Sequence, residues 1–212
     1  MRQNPAVPNS MIPFPRRRLP SLLGLVAAAA LLAGCERGGD IRYPDDAAIA
    51  QALRQNFTDD PDNARARELI QTLGGAEGQL DYQVRRVIWR QGSFEVHYDA
   101  SLRMAQGGEQ SLQRLYATMI PKEEAAKLPD PGLKAQEDWL NAQADALARS
   151  DAAQGQSLKA SLENLGRCYR QAKAGDTVPL MEGLHALLSP TRDGLYAERL
   201  QAPGVQLKCL PL

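Results

Sequence analysis

Between Leu80 and Met104 the chain alternates twice between apolar and polar side chains, with Gly92 near the midpoint. Alternation with a period of two marks a strand that rests one face on a core. The stretch therefore predicts a β-hairpin and restricts the chain to folds that contain an antiparallel pair. Leu80, Tyr82, Val84 and Ile88 share one face of the first run, and Phe94, Val96, Tyr98, Ala100, Leu102 and Met104 share one face of the second. The loop sets the register. A two-residue Gln91-Gly92 turn would pair Trp89 with Phe94 and Ile88 with Glu95, opposing the two apolar sets, which disfavours it. A three-residue loop, Arg90-Gln91-Gly92, pairs Ile88 with Phe94, Val84 with Tyr98 and Leu80 with Leu102. It also puts Gly92 at the left-handed position such loops need. This is the expected register. Val87 and Trp89 then interrupt the polar face of the first strand, which implies a helix covering that face.

The rest of the chain reads as mostly helical. Ile49, Leu53 and Phe57 recur at four-residue steps after Pro44-Asp45-Asp46, a helix with its start signal. A second helix follows Asp60 as N-cap and Pro61 at the first position, carries Ala66, Leu69, Ile70 and Leu73 on one face, and ends with Gly74 at the left-handed position. Leu112, Leu115, Tyr116, Met119 and Ile120 form a third face, closed by Pro121. Leu133, Leu140 and Leu147 recur at seven. Leu158, Leu162, Leu165, Tyr169 and Ala172 step at four and three up to Gly175. These last two helices are expected to pair antiparallel across a break at Ser150-Asp151, with Asp151 and Gln154 as an approximate capping box. A further helix is expected from Asp176-Thr177-Val178-Pro179, carrying Leu180, Leu184, Leu187 and Leu188 and stopped by Pro190. The tail after Gly194 reads as two brief strands around a Pro203-Gly204 turn, able to extend the hairpin. The expected fold class is α+β: a mainly helical single domain with a small antiparallel β-sheet built on the hairpin at about 80–104.

The N-terminus carries a different signal. Arg16, Arg17 and Arg18 precede Leu22 to Ala33, an apolar stretch that is too short for a membrane span of about 20 residues and suits the apolar region of a signal peptide. Leu32-Ala33-Gly34-Cys35 then resembles the lipobox of bacterial lipoproteins. The resemblance covers the first 35 residues only. It implies that residues 1–34 are a signal peptide, that Cys35 receives a diacylglyceryl thioether, and that its freed amino group is then acylated. Glu36 rather than Asp follows the cysteine, which in this class favours the outer membrane, facing the periplasm, over retention at the inner membrane. Residues 35–44 would be the acylated N-terminus and a short tether. Roughly nine residues of flexible coil reach about 16 Å on average, so the domain at 45–212 would sit close to its membrane.

Setting Cys35 aside changes the reading of the other two cysteines. Cys168 and Cys209 become an even pair in an oxidising compartment, and neither has a CxxC spacing or a nearby histidine, so a disulfide is expected. The charge reading changes as well. The whole chain holds 25 basic and 25 acidic residues. Arg2, Arg16, Arg17 and Arg18 lie in the removed segment with no acid beside them, so the remaining domain is mildly acidic. That excludes charge-driven binding to nucleic acid or anionic headgroups.

Catalytic motifs are few. The chain has no P-loop, no G-x-G-x-x-G and no H-E-x-x-H. Gly155-Gln156-Ser157-Leu158-Lys159 ends in Lys where the nucleophile elbow has Gly, and it lies in a helical pattern rather than after a strand. The best polar constellation is Glu95, His97 and Asp99, which project from one face of the second strand with Arg85 opposite His97. That is either an acid/base or metal patch, or the solvated face of a half-buried sheet on which Arg85 pairs with Asp99. The solvated face is the expected reading. A metal would need a third ligand, and His185, the only other histidine, falls on the expected helix at 177–188. No cofactor and no catalytic set is expected. The expected function is a non-enzymatic binding module held at the membrane by lipid, with a protein of the envelope as partner. Two alternatives are an apolar-ligand-binding lipoprotein with a cavity between hairpin and helices, and an envelope enzyme using the His97/Asp99 face.

Overall fold

The computed structural model describes residues 41–211. The lipobox, Cys35 and the tether as far as Asp40 lie outside the described residues. The fold is α+β. Helices α1 (Asp46–Asp59) and α2 (Ala64–Gly74) come first, joined by a 3-10 turn at Pro61–Asn63. Strands β1 (Gln79–Arg90) and β2 (Ser93–Arg103) form the hairpin. Helices α3 (Gly108–Met119), α4 (Lys122–Ala125), α5 (Leu133–Ser150) and α6 (Ala152–Tyr169) follow, and then strands β3 (Thr177–Thr191), β4 (Gly194–Leu200) and β5 (Gln206–Leu207). The sheet is antiparallel in the order β1-β2-β3-β4, with β5 also paired to β3. Helices α3 to α6 are thus inserted between two strands that are neighbours in the sheet. Two hydrogen bonds close the base of the insertion, from Met104 N to Asp176 O and from Gly175 N to Met104 O.

The local signals explain most helix ends. Asp45 caps α1 by accepting from Ala48 N. Asp151 ends α5 and starts α6, its side chain accepting from Gln154 N at 3.0 Å. The left-handed residue after α2 is Gly75, with φ of 86°, not Gly74, which remains helical. Gly108 has a different role. A Cβ there would stand 1.7 Å from the carbonyl oxygen of Tyr169, because the start of α3 is clamped to the end of α6 by a bond from Gly108 N to Ala172 O. Gly108→Ala is therefore expected to lower stability by about 1–3 kcal/mol, the usual cost of overpacking. A denaturant midpoint equal to wild type would show that this contact is dispensable.

The largest correction to the sequence reading is β3. The segment expected to be a helix from Val178 to Leu188 is a strand. Val178, Leu180, Leu184, Ala186 and Leu188 are buried, and Leu187 lies on the opposite face, half-buried. Leucines at 180, 184 and 188 satisfy both periods, and Leu187 fits the helix alone. Pro179 and Gly183, poor residues for a helix interior, were the contrary signal. The C-terminal strands do extend the sheet, but through β3 rather than through the hairpin itself.

The hairpin register is the second correction. Leu80 pairs with Leu102 and Val84 with Tyr98, as expected, but Trp89 pairs with Phe94 and Ile88 with Glu95. The turn has two residues, Gln91 and Gly92, both at positive φ (46° and 102°), the pattern of a type I′ turn. Both halves fit because Arg85 is an extra residue in β1: Val84 pairs with Tyr98 and Arg86 with His97. Such a bulge inverts the phase of everything beyond it. Val87 and Trp89 therefore turn onto the covered face, where they pack with Phe94 and α1, and Ile88 turns outward.

Helices cover one face of the sheet only. Toward one end, Leu80, Leu102, Met104, Val178 and Leu180 form a core with α2, α3, α5 and α6. Toward the other, Phe94, Val96, Tyr98, Leu184 and Leu188 form a core with Ile49, Ala52 and Leu53 of α1. The disulfide forms as expected. Cys168 of α6 is bonded to Cys209, and Tyr169 Oη donates to the Cys209 carbonyl at 2.9 Å.

Candidate functional site

The uncovered face of the sheet carries the polar constellation. Glu95, His97 and Asp99 alternate on β2 with the buried residues of the core face, and all three are half-buried. They do not act as one set. Asp99 is bound to the backbone irregularities on both sides of it. One of its oxygens accepts from Arg85 Nε at 2.7 Å, where β1 bulges, and the other accepts from Gly183 N at 3.0 Å, where β3 slips register. Asp99 thus pairs with Arg85, as the solvated-face reading expects, and both its oxygens are engaged. Arg85 itself is the bulged residue and does not face His97; Arg86 pairs there instead.

Glu95 and His97 have a different companion. Because β3 is a strand, His185 stands directly opposite His97, and the two rings stack with centroids 3.7 Å apart and an interplanar angle of 19°. Glu95 Oε1 lies 2.9 Å from His97 Nε2 and 4.0 Å from His185 Nδ1. Glu95 Oε2 accepts from Arg90 Nε at 2.8 Å. The His97 hydrogen bond, aided by Arg90, holds the Glu95 carboxyl well below its ordinary value, at about 2, so it is an anion across the physiological range. Side-chain exposure is 27% for each histidine and 19% for Glu95. Ile88 and Leu187 flank Glu95 in register, and Leu200 flanks His185. His185 was placed on a helix by its leucine neighbours and so was lost to this group. The signal that could have found it is the Val178–Leu188 alternation.

The covered face holds a second feature. A cavity of about 210 Å³ lies at the seam between the two cores. It is walled by Leu53 and Phe57 of α1, Leu69 and Ile70 of α2, Tyr82 and Tyr98 of the hairpin, and Leu210 of the C-terminal tail. Three small buried residues, Ala100, Ala186 and Ala197, line it from the core face of β2, β3 and β4, with the Tyr98–Leu184 pair between the first two. Tyr82 and Tyr98 meet edge to face at 5.8 Å, and burial pushes both phenols above their ordinary pKa, so they are neutral walls. Polar groups are few: Asn56, whose side-chain NH2 donates to the Ala197 carbonyl, together with Asn63 and Arg199.

Compared with known protein families, curated proteins and solved structures, the chain matches none of them.

Proposed function

We propose that the protein is a lipid-anchored binding protein of the cell envelope, without catalytic activity, that takes a small apolar molecule or a segment of an alkyl chain into the seam cavity. The observation that carries this reading is the cavity: apolar on nearly every side, with three alanines among the residues that line it. A buried void of about 150 Å³ lined by aliphatic and aromatic side chains is enough to hold benzene, so this one suits a ligand of that scale or somewhat larger. Attachment follows from the Leu32-Ala33-Gly34-Cys35 sequence. No helix among the described residues is long and apolar enough to cross a membrane, so in this reading lipid on Cys35 supplies the anchor. The Cys168–Cys209 bond suits an oxidising compartment, and Glu36 after the cysteine favours the outer membrane facing the periplasm.

The test is titration with a small apolar fluorophore such as 1-N-phenylnaphthylamine. Wild type is expected to give a saturable, one-to-one rise in emission. Ala186→Leu, which fills the cavity, is expected to weaken binding by about tenfold or more, in line with a lost hydrophobic contact surface of one to two side-chain methylenes. A thermal midpoint at or above that of wild type would show that the variant is folded and filled. Absence of saturable binding in wild type, or full binding by a folded Ala186→Leu protein, refutes the cavity as the ligand site.

A further inference from the structure

We propose that Glu95, His97 and His185 form a binding site for one late first-row divalent metal ion, on the face of the sheet opposite the cavity. The argument begins with the donor set. Two imidazole nitrogens and one carboxylate oxygen, all within 4.8 Å of one another, converge from two adjacent strands. Around a tetrahedral zinc ion with bonds of about 2.0–2.1 Å, neighbouring ligand atoms stand about 3.4 Å apart. The observed separations from Glu95 Oε1, 2.9 Å and 4.0 Å, bracket that value. To take one ion, the stacked rings would have to unstack by rotation about their side-chain bonds, so that lone pairs now nearly parallel converge.

An ordinary ion pair accounts for part of this arrangement and not for the rest. The His97–Glu95 hydrogen bond explains one short distance. It does not explain why a second imidazole stacks on the first and brings its Nδ1 to 4.0 Å from the same carboxylate oxygen. Arg90 adds an independent observation. It occupies Oε2 and leaves Oε1, which already meets His97 Nε2, as the oxygen on the side of the two imidazoles, the kind of outer contact that orients a ligating carboxylate. Ile88, Leu187 and Leu200 supply an apolar rim, which strengthens electrostatic attraction to a cation. Nitrogen-rich N2O donor sets suit Zn2+, Cu2+ and Ni2+ rather than Mg2+ or Ca2+. Three protein ligands leave at least one position for water or an exogenous donor, unlike the four-ligand closed sites of structural zinc.

The test is calorimetric titration of the full chain, in detergent and freed of metal with a chelator, using Zn2+ alone. One ion per chain is expected. His97→Ala, His185→Ala and Glu95→Gln are each expected to lower affinity by at least about tenfold, since even outer contacts around a metal are worth 10–100-fold. Arg90→Ala should cost about tenfold by the same rule. Asp81→Asn, on the same face and paired with Arg103, should leave affinity unchanged. With Cu2+, the resonance spectrum should show coupling to two nitrogens in wild type and to one in His185→Ala, a change that altered stability alone would not produce. No saturable Zn2+ binding, or binding that survives both histidine substitutions, overturns the proposal.

Discussion

Replacing Cys168 and Cys209 together by serine is expected to lower the free energy of unfolding by about 4 kcal/mol. The bond closes a loop with a sequence separation of 41, and the chain-entropy relation gives that figure for a loop of this length. The folded state itself should change little. The tail is also held by hydrogen bonds from Lys208 N to Leu180 O and from Cys209 N to Pro179 O, and by the Tyr169 hydroxyl. The loss is thus expressed in the unfolded chain, which regains the freedom of the β3–β5 segment. For a domain of this size, each kcal/mol shifts the thermal midpoint by about 2–4 °C, so a drop of roughly 8–16 °C is expected. Urea unfolding should show a lower midpoint and a steeper slope, because the unfolded state exposes more surface. Equal midpoints for the oxidised protein and the double-serine variant would mean that the tail contributes no constraint.

Replacing Cys35 by serine is expected to abolish lipid attachment altogether. In the lipid-anchor reading the Cys35 thiol is the group that accepts a diacylglyceryl chain, and a serine hydroxyl at that position is not an equivalent nucleophile. Radiolabelled palmitate should enter the wild-type protein and be absent from Cys35→Ser. Fractionation is best read on a chain that begins at Glu36 behind an ordinary cleavable signal, since an uncut precursor keeps its own apolar segment. That chain should appear wholly in the soluble fraction. One acyl chain gives only marginal binding and two or more give stable anchoring, so the contrast between acylated and unacylated forms should be close to all-or-none. Palmitate labelling that persists in Cys35→Ser, or a Glu36-initiated chain that stays with membranes, would contradict the anchor.

Where one period dominated, the sequence was legible. In α6, Leu158, Leu162, Leu165 and Tyr169 step with the helix, and Asp151 caps it through Gln154 as the spacing implies. The two cysteines left after Cys35 meet in a disulfide. The core face of β2 is read correctly from Phe94 to Leu102. The errors arise where two patterns overlap or where one residue is inserted. Leu180, Leu184 and Leu188 satisfy a helix as well as a strand, and with Leu187 favouring the helix that ambiguity hid the strand that brings His185 to His97. Arg85 shifts the phase of β1, and no count of alternating residues reveals such a shift without knowing the turn. The seam cavity was not legible residue by residue, because its walls come from α1, α2, four strands and the C-terminal tail, which only the tertiary fold brings together.

The bulge at Arg85 also separates the register of the hairpin tip from that of its base. Leu80, before it, packs in the helical core and Tyr82 against both cores; Val84, Val87 and Trp89, on either side of it, pack on the α1 side. A pairing slip at the Gln91-Gly92 tip normally propagates down a strand and turns every side chain to the wrong face. Here the irregularity at Arg85, fastened by Asp99, can take up a one-residue slip before it reaches Val84. A slip taken up there would leave the Leu80–Leu102 pairing, which joins the hairpin to the core that holds Cys209, in its own register.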